Sequence, residues 1–533
     1  MRIMGSLSHA AHTQFPRKIL VSCGFFIFAL LVAWQISGYI VSNDFSSLAF
    51  AAIIFAGAAV VAVVLSSWRK GLYFFLAWLL FEDLARKFLG NNMAIYFAKD
   101  ALLLVVYLSF FVAYRRKGKD MEIFRPPFLV ILLVFVWFGA MQMFNPASTS
   151  MSYGLLGMKL YFCYMPLMVV GYALIDSEAA LQRFFHVNLG LMFVIIALGI
   201  VQSVLGHTFL NPEVPGEDIR ALSQSYREAP ISGLIAYRPT SVFVSAGRFG
   251  DFLIVAWLVV FGFSGYLLLR QRRGRLFAFL CLAVTAAGCL MSASRGVFMW
   301  ILGNSAVGGA ALIWGAPWRQ GEARRIFRAL QRALFGIVLA IVVLLVTYPQ
   351  ALLSRLAVYS ETLDPRSPAN ELVHRTRDYP LRNFLSAFDY ERWPYGYGIG
   401  TVSLGGQYVS RFFHVRPPVG TVESGFGCII IEMGIAGLAL WFIMSLAILV
   451  SAWRVVRELK GSPWFPIGFM IFWYAFLLLL PITFEGLQAY EDFILNAYLW
   501  LLLGVLFRLP KLALSAQLDA AASAPQANLH WVR

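Results

Sequence analysis

The sequence predicts an all-α polytopic integral membrane protein of about fourteen transmembrane helices, with two long loops facing away from the cytoplasm. Three observations predict it. Sixty per cent of its 533 residues are hydrophobic and only 13% are charged, against about 25% charged in a soluble domain. Mean hydropathy is +0.73. Apolar runs of the roughly 17–25 residues that cross a bilayer recur along the chain, and Lys and Arg gather in alternate loops between them.

Taken in order, the runs lie near 19–41, 48–67, 71–90, 94–114, 127–144, 155–175, 184–205, 251–269, 276–292, 296–314, 333–349, 425–450, 464–482 and 493–507. The first is preceded by Arg17-Lys18 and followed by no small-residue cleavage site, so it reads as a retained anchor. Basic segments at Arg69-Lys70, Arg115 to Lys119, Arg270 to Arg275, Arg319 to Arg332 and Arg454 to Lys460 all fall on the cytoplasmic side if Met1 starts there. An even number of spans returns the C-terminus to the cytoplasm, where Arg508 and Lys511 agree. The net charge of +16 is then topology signal plus outward arginines, and nucleic-acid binding is a poor account of it.

The spans divide the chain into an N-terminal bundle at 1–205, a first long loop at 206–250, central helices at 251–348, a second long loop at 349–424 and C-terminal helices at 425–511. The Ala/Ser/Gln-rich tail at 512–533 is expected to be disordered. Cys23, Cys163, Cys281, Cys289 and Cys428 lie in or beside apolar runs without a Cys-x-x-Cys pair, so they read as small hydrophobic filler.

The second loop is dense in arginine, with Arg355, Arg366, Arg375, Arg377, Arg382, Arg392, Arg411 and Arg416. Translocated loops normally exclude Lys and Arg, so such a loop implies an anion to hold, and guanidinium forks grip diphosphate bidentately. A helix-like stretch from Asn370 to Phe388 precedes Gly396-x-Gly398-x-Gly400, glycines that let backbone approach a ligand closely. The first loop carries Arg238-Pro239-Thr240 and closes on Gly247-Arg248-Phe249-Gly250 at a helix entrance. Charges at Glu82, Asp83, Arg86, Lys87, Lys99 and Asp100 sit near the outward ends of two spans, where an interhelical ion-pair network is the favoured reading.

Arg238-Pro239-Thr240, Ser294-Arg295-Gly296, Gly396-x-Gly398-x-Gly400 and the segment Glu423 to Leu440 together resemble the O-antigen ligase and polymerase superfamily over roughly residues 190–450. Phe144-Asn145-Pro146, Leu155 to Lys159 and Asn496-Ala497-Tyr498 resemble exopolysaccharide polymerases. Family ligases carry a His-Asn pair where this chain has Glu423-Ser424, with Glu432-x-Gly434 anchoring the register, and this departure leans toward a polymerase. A ligase and, outside enzymes, a lipid-linked oligosaccharide flippase remain the alternatives. The resemblance implies a bacterial inner-membrane glycosyltransferase with periplasmic long loops. Its donor and acceptor would be polyprenyl-diphosphate-linked glycans, and a chain-length regulator and a flippase of the same pathway would be its partners.

Such a transfer stabilises charge on the departing diphosphate and removes a proton from the acceptor hydroxyl. It requires no cofactor, and the sequence has no Asp-x-Asp or His cluster that would bind a metal. Arg295 and Arg238 are the candidates for the diphosphate. For Arg238, an ion pair with Glu213, Glu217 or Asp218 competes, and for Arg248 a substrate contact competes with plain anchoring. Glu423 is the candidate general base, on the expectation that it is half-buried, and its alternative is a helix-end charge. Glu432 is expected to pair with a neighbour. Arg411 and Arg416 would steer a glycan or lie on a solvated surface, and loop aromatics such as Tyr379 and Tyr395 would stack on sugars or belong to an interfacial belt.

Overall fold

A computed structural model of the chain describes residues 57–89, 93–117, 123–212, 221–270, 273–317, 345–364, 373–486 and 488–522, with scattered positions between 328 and 343. The expected span 19–41, the first part of 48–67 (residues 48–56), most of the segment Arg319 to Arg332, the acids Glu213, Glu217 and Asp218, and Arg366 lie outside the described residues.

The described chain includes these helices: α1 (Gly57–Ser66), α2 (Trp68–Phe88), α3 (Met93–Lys117), α4 (Leu129–Gln142), α5 (Met151–Phe162), α6 (Leu167–Leu174), α7 (Glu178–Leu205), α8 (Ala246–Arg270), α9 (Arg275–Met291), α10 (Arg295–Gly315), α11 (Pro349–Leu363), α12 (Tyr379–Leu385), α13 (Gly406–Phe413), α14 (Gly425–Glu458), α15 (Phe465–Leu477) and α16 (Phe493–Ala522). Among the described residues, eight helical stretches are long and apolar enough to cross a membrane, one of them formed by α5 with α6 and one by α15 with the turns after it. They coincide with the expected runs beginning at 94, 155, 184, 251, 296, 425, 464 and 493. The chain is a multi-pass membrane protein by this criterion.

Sequence sets the helix ends. Ser150, Ser177 and Ser424 each cap a helix by accepting a backbone N–H, from Ser152, Ala180 and Gly427. Asp492 does the same for α16, accepting from Ile494 at 2.9 Å and Leu495 at 3.1 Å. Pro481 breaks α15 into a π turn at Leu478–Ile482. Some boundaries differ from expectation. α8 starts at Ala246, which draws Arg248 into its first turn. α16 runs through Ala522, past the expected end at 511, because an Ala-rich segment continues a helix readily.

The first long loop contains a two-stranded antiparallel hairpin, β1 (Tyr226–Glu228) and β2 (Ile235–Tyr237), with Tyr226 opposite Tyr237. The second contains α11, a π turn at His374–Asp378, α12 and α13, so the helix expected over 370–388 is present in broken form over its described part, 373–388.

In lipid, helices associate by close packing and polar contacts, since burial from water is already complete. α16 lies against α6, where a Cβ on Gly504 would overlap the Met168 carbonyl and one on Gly171 the Leu501 carbonyl. Polar contacts fix its rotation: Asn496 Nδ2 donates to Leu160 O at 2.7 Å and Tyr498 Oη to Asn188 Oδ1 at 2.6 Å. α16 is thus a central helix, with 89% of its apolar window enclosed, whereas α10, at 28%, is peripheral. The C-terminal ends of α2, α7 and α15 and the N-terminal ends of α3, α5, α8, α10, α14 and α16 share one end of the bundle, which collects the long loops and is here termed the loop end.

Candidate functional site

Helical spacing on the last turns of α2 puts Asp83 within reach of Arg86 and places Glu82, Asp83, Arg86 and Lys87 in the interior. Charges so buried are tolerated only when paired. Lys99 of α3 bonds Glu82 at 3.0 Å, and Arg86 bonds Asp83 at 3.0 Å. Arg248, in the first turn of α8, bridges Asp83 at 2.6 Å and Asp492 at 2.9 Å. Lys159 of α5 meets Asp100 at 2.6 Å. The network expected from Glu82 to Asp100 is present, and it recruits three groups that local sequence did not single out: Lys159, Asp492 and the Tyr96 ring, 3.6 Å from Lys99 Nζ and 4.3 Å from Lys159 Nζ.

Lys87 has different partners. Its Nζ donates to Thr240 Oγ1 at 2.8 Å and to the Ser241 carbonyl at 2.7 Å, so it joins the ion-pair cluster to the Arg238-Pro239-Thr240 motif. Gln202 of α7 holds the same turn, its Oε1 accepting from the backbone N–H groups of Thr240 at 2.9 Å and Ser241 at 2.7 Å. Ser241 sits at φ 52, a left-handed conformation unusual outside glycine, fixed by these contacts. Counted by side chains in these bonds, five cations (Arg86, Lys87, Lys99, Lys159, Arg248) face four carboxylates (Glu82, Asp83, Asp100, Asp492).

Arg238 is half-buried; one guanidinium nitrogen donates to Ser225 Oγ at 3.4 Å, and its buried Nε finds no acceptor among the described residues. Burial draws its pKa down, with Tyr359 and Asp251 opposing. Arg295 opens α10 and donates to the Glu228 carbonyl at 3.0 Å, against the hairpin. The turn before it lies beside α8, where a Cβ on Gly250 would stand 3.9 Å from Ser294 Oγ. The structure therefore brings Arg238, Arg248 and Arg295 to one side of the loop end.

Glu423 stands apart. It is exposed, not half-buried as expected, and accepts a hydrogen bond from Tyr379 Oη of the α12 segment. The residue precedes the α14 N-cap, and its side chain faces solvent between buried Val422 and Ser424. Arg411 and Arg416 are both exposed, with Arg411 on α13 beside exposed Phe412 and Phe413. Arg355, by contrast, is a structural staple. Buried at 2% exposure, it donates to the carbonyls of Met291, Ala351, Ser203 and Tyr237. Among the aromatics, Tyr395 is exposed while Tyr408 reaches inward to Arg86 at 3.2 Å.

The close approach expected of Gly398 and Gly400 is real, and its partner is the protein. Both have positive φ, 104 and 87, and a Cβ on Gly400 would overlap the Tyr153 carbonyl. Gly398 faces Ser148, Gln142 and Asn145. The loop thereby docks on α5 and on α14, where Gly398 N–H donates to Glu432 O at 2.9 Å. Glu432 does pair with neighbours, accepting from Tyr161 Oη at 3.0 Å and Val402 N–H at 3.1 Å. Its companion Glu491, which sequence reasoning missed, bonds Ser403 and the Leu404 N–H. Burial, reinforced by Glu432, pushes the Glu491 carboxyl well above its usual range. The signal was an acidic pair, Glu491-Asp492, directly before an apolar run.

Chemically, the loop end can hold an oxyanion near its clustered basic groups and the Arg238 guanidinium, with Asp251 of α8 set against Arg238 and Arg248, and a proton within its acidic pair. Comparison with models of protein families gives no match, and none is found among curated proteins.

Proposed function

We propose that the chain is a polymerase that joins polyprenyl-diphosphate-linked oligosaccharide repeats at the periplasmic face of the bacterial inner membrane. The observation that carries this reading is the buried cation cluster at the loop end, five basic groups to four carboxylates, tied through Lys87 to the Arg238–Ser241 turn. A departing diphosphate is multiply charged and suits guanidinium forks. In this reading Arg238 and Arg295 take the growing charge, and Arg248 orders the floor beneath them. Glu423, at the exposed surface beside Tyr379, takes the proton from the acceptor hydroxyl onto its carboxylate, while Arg411 and Arg416 steer the incoming glycan. Direct displacement would invert the anomeric centre, by analogy with inverting hydrolases. Fourteen spans with both termini cytoplasmic complete the proposal.

A flippase for the same lipid is the second reading, favoured by the burial of charges within the helices themselves. Surface polysaccharide from a deletion strain carrying wild type, Arg238→Ala or Glu423→Gln separates the two. Polymerase action requires single-repeat products in the deletion strain and a loss of chain extension on the order of 10²–10³-fold with Arg238→Ala, the usual effect of removing one oxyanion donor. Repeat units trapped on the cytoplasmic side would identify a flippase. Long polymer unattached to core would identify a ligase, and wild-type chains in the deletion would end the enzyme reading.

A further inference from the structure

Ser403 Oγ lies 2.8 Å from Glu432 Oε1 and 2.7 Å from Glu491 Oε1. A hydroxyl has one proton to give. It can satisfy one of these oxygens, and the other contact sets lone pair against lone pair unless that carboxyl is itself protonated. Both carboxyls are interior, at 0% and 1% exposure, and neither enters an ion pair among the described residues. Two ionised carboxylates about one hydroxyl, without a cation, would carry a large desolvation and repulsion cost.

The remaining hydrogen bonds assign the proton. Glu432 already accepts from Val402 N–H and, at 3.0 Å, from Tyr161 Oη. Tyr161 Oη is 2.5 Å from Tyr490 Oη, and with its own proton spent on Glu432 it accepts from Tyr490. Glu491 receives one N–H, from Leu404 at 2.7 Å. Every hydrogen finds an acceptor when Glu491 is the acid: it donates to Ser403, and Ser403 donates to ionised Glu432.

We propose that Glu432 and Glu491 form a proton-binding site in which one proton, shared through Ser403, fastens three chain segments together. Glu432 lies on α14, Ser403 closes the glycine loop, and Glu491 belongs to the turn before α16. The same turn donates from Gln488 Nε2 to the Val402 carbonyl at 2.8 Å and continues into Asp492, the partner of Arg248. Removing the proton opposes two carboxylates across one oxygen and unseats the glycine loop from the turn. The other titratable groups facing the pair are Tyr161 of α5, Tyr490 of the turn and Cys428 of α14. None supplies a compensating positive charge.

Infrared difference spectroscopy on the purified full chain in lipid nanodiscs tests this without reference to any transfer reaction, so the polymerase reading and the proton site stand or fall separately. Wild type minus Glu491→Gln is expected to show the C=O stretch of a protonated carboxyl that shifts in heavy water. The Gln amide retains a donor toward Ser403, so Glu491→Gln is also expected to hold its melting temperature as pH rises while wild type loses it. Tyr161→Phe removes a donor that holds Glu432 ionised, so the shared proton can rest on Glu432 instead and the pH at which the band titrates should rise; this variant serves if Glu491→Gln does not fold. A difference spectrum without the band, or a midpoint unmoved by Tyr161→Phe, overturns the inference.

Discussion

Arg248 answers to two carboxylates at once and covers the Phe493 ring at 4.6 Å. Arg248→Ala leaves Asp83 and Asp492 in the interior without their shared cation, a loss expected to cost about 3–5 kcal/mol, read as a lowered melting temperature in detergent. Asp492→Asn added to Arg248→Ala should recover part of it, because Asp492 pairs with Arg248 whereas Asp83 keeps Arg86, and a double-mutant cycle measures how much. Arg248→Lys should fall between, since an ammonium group cannot reproduce a fork that spans two acceptors. The sequence marked Arg248 as a residue of interest and left its role open between substrate and anchor. Its partners stand 165 and 244 positions away, beyond any local pattern. Glu82 to Lys87, packed into one helical stretch, announced their network directly. Glu423 misled because proximity to an apolar run was taken to mean burial.

At the scale of elements, α14 is broken at Gly434, whose φ of 69 lies where side chains are strained. The break admits the glycine loop: Gly396 packs on it, and a Cβ on Gly434 would overlap the Pro394 carbonyl. Gly434→Ala is therefore expected to destabilise by roughly 1–3 kcal/mol. Gly303→Ala on α10, with nothing near its would-be Cβ, is the control that should melt unchanged. Both Glu432-x-Gly434 and Gly396-x-Gly398-x-Gly400 were visible in the sequence, yet nothing in either says that the other is its counterpart. Long apolar runs proved the most legible elements, because length and hydropathy alone define them. Their ends were less so. The run at 155–175 divides into α5 and α6 around Pro166, and the run at 425–450 extends to Glu458 as a helix whose last turns are basic.

For the whole molecule, stability should depend on pH through the acidic pair. Glu491 binds its proton more tightly folded than unfolded, so the folded state carries more protons once pH passes the ordinary carboxylate range. The associated stability is full below that range and is lost as pH rises through the elevated value, an ordering that melts collected from mildly acidic to alkaline buffer will check. Orientation is tested by single-cysteine labelling in intact cells: Phe412→Cys on exposed α13 should react with an impermeant thiol reagent, whereas Lys460→Cys should react only after permeabilisation. Reaction at Lys460→Cys without permeabilisation would invert the topology. Among the described thiols, Cys281, Cys289 and Cys428 are buried and Cys163 is partly so, and Cys23→Ser removes the fifth from the labelling background. Finally, Arg355 joins α11 to α7, α9 and β2 through three carbonyl oxygens, with a fourth bond to Ala351 on its own helix, and bonds no side chain. Main-chain oxygens are indifferent to residue identity, so Met291, Ser203 and Tyr237 are free to drift as far as this joint is concerned. The loops it secures can be re-sculpted for a different ligand while the clasp itself stays the same.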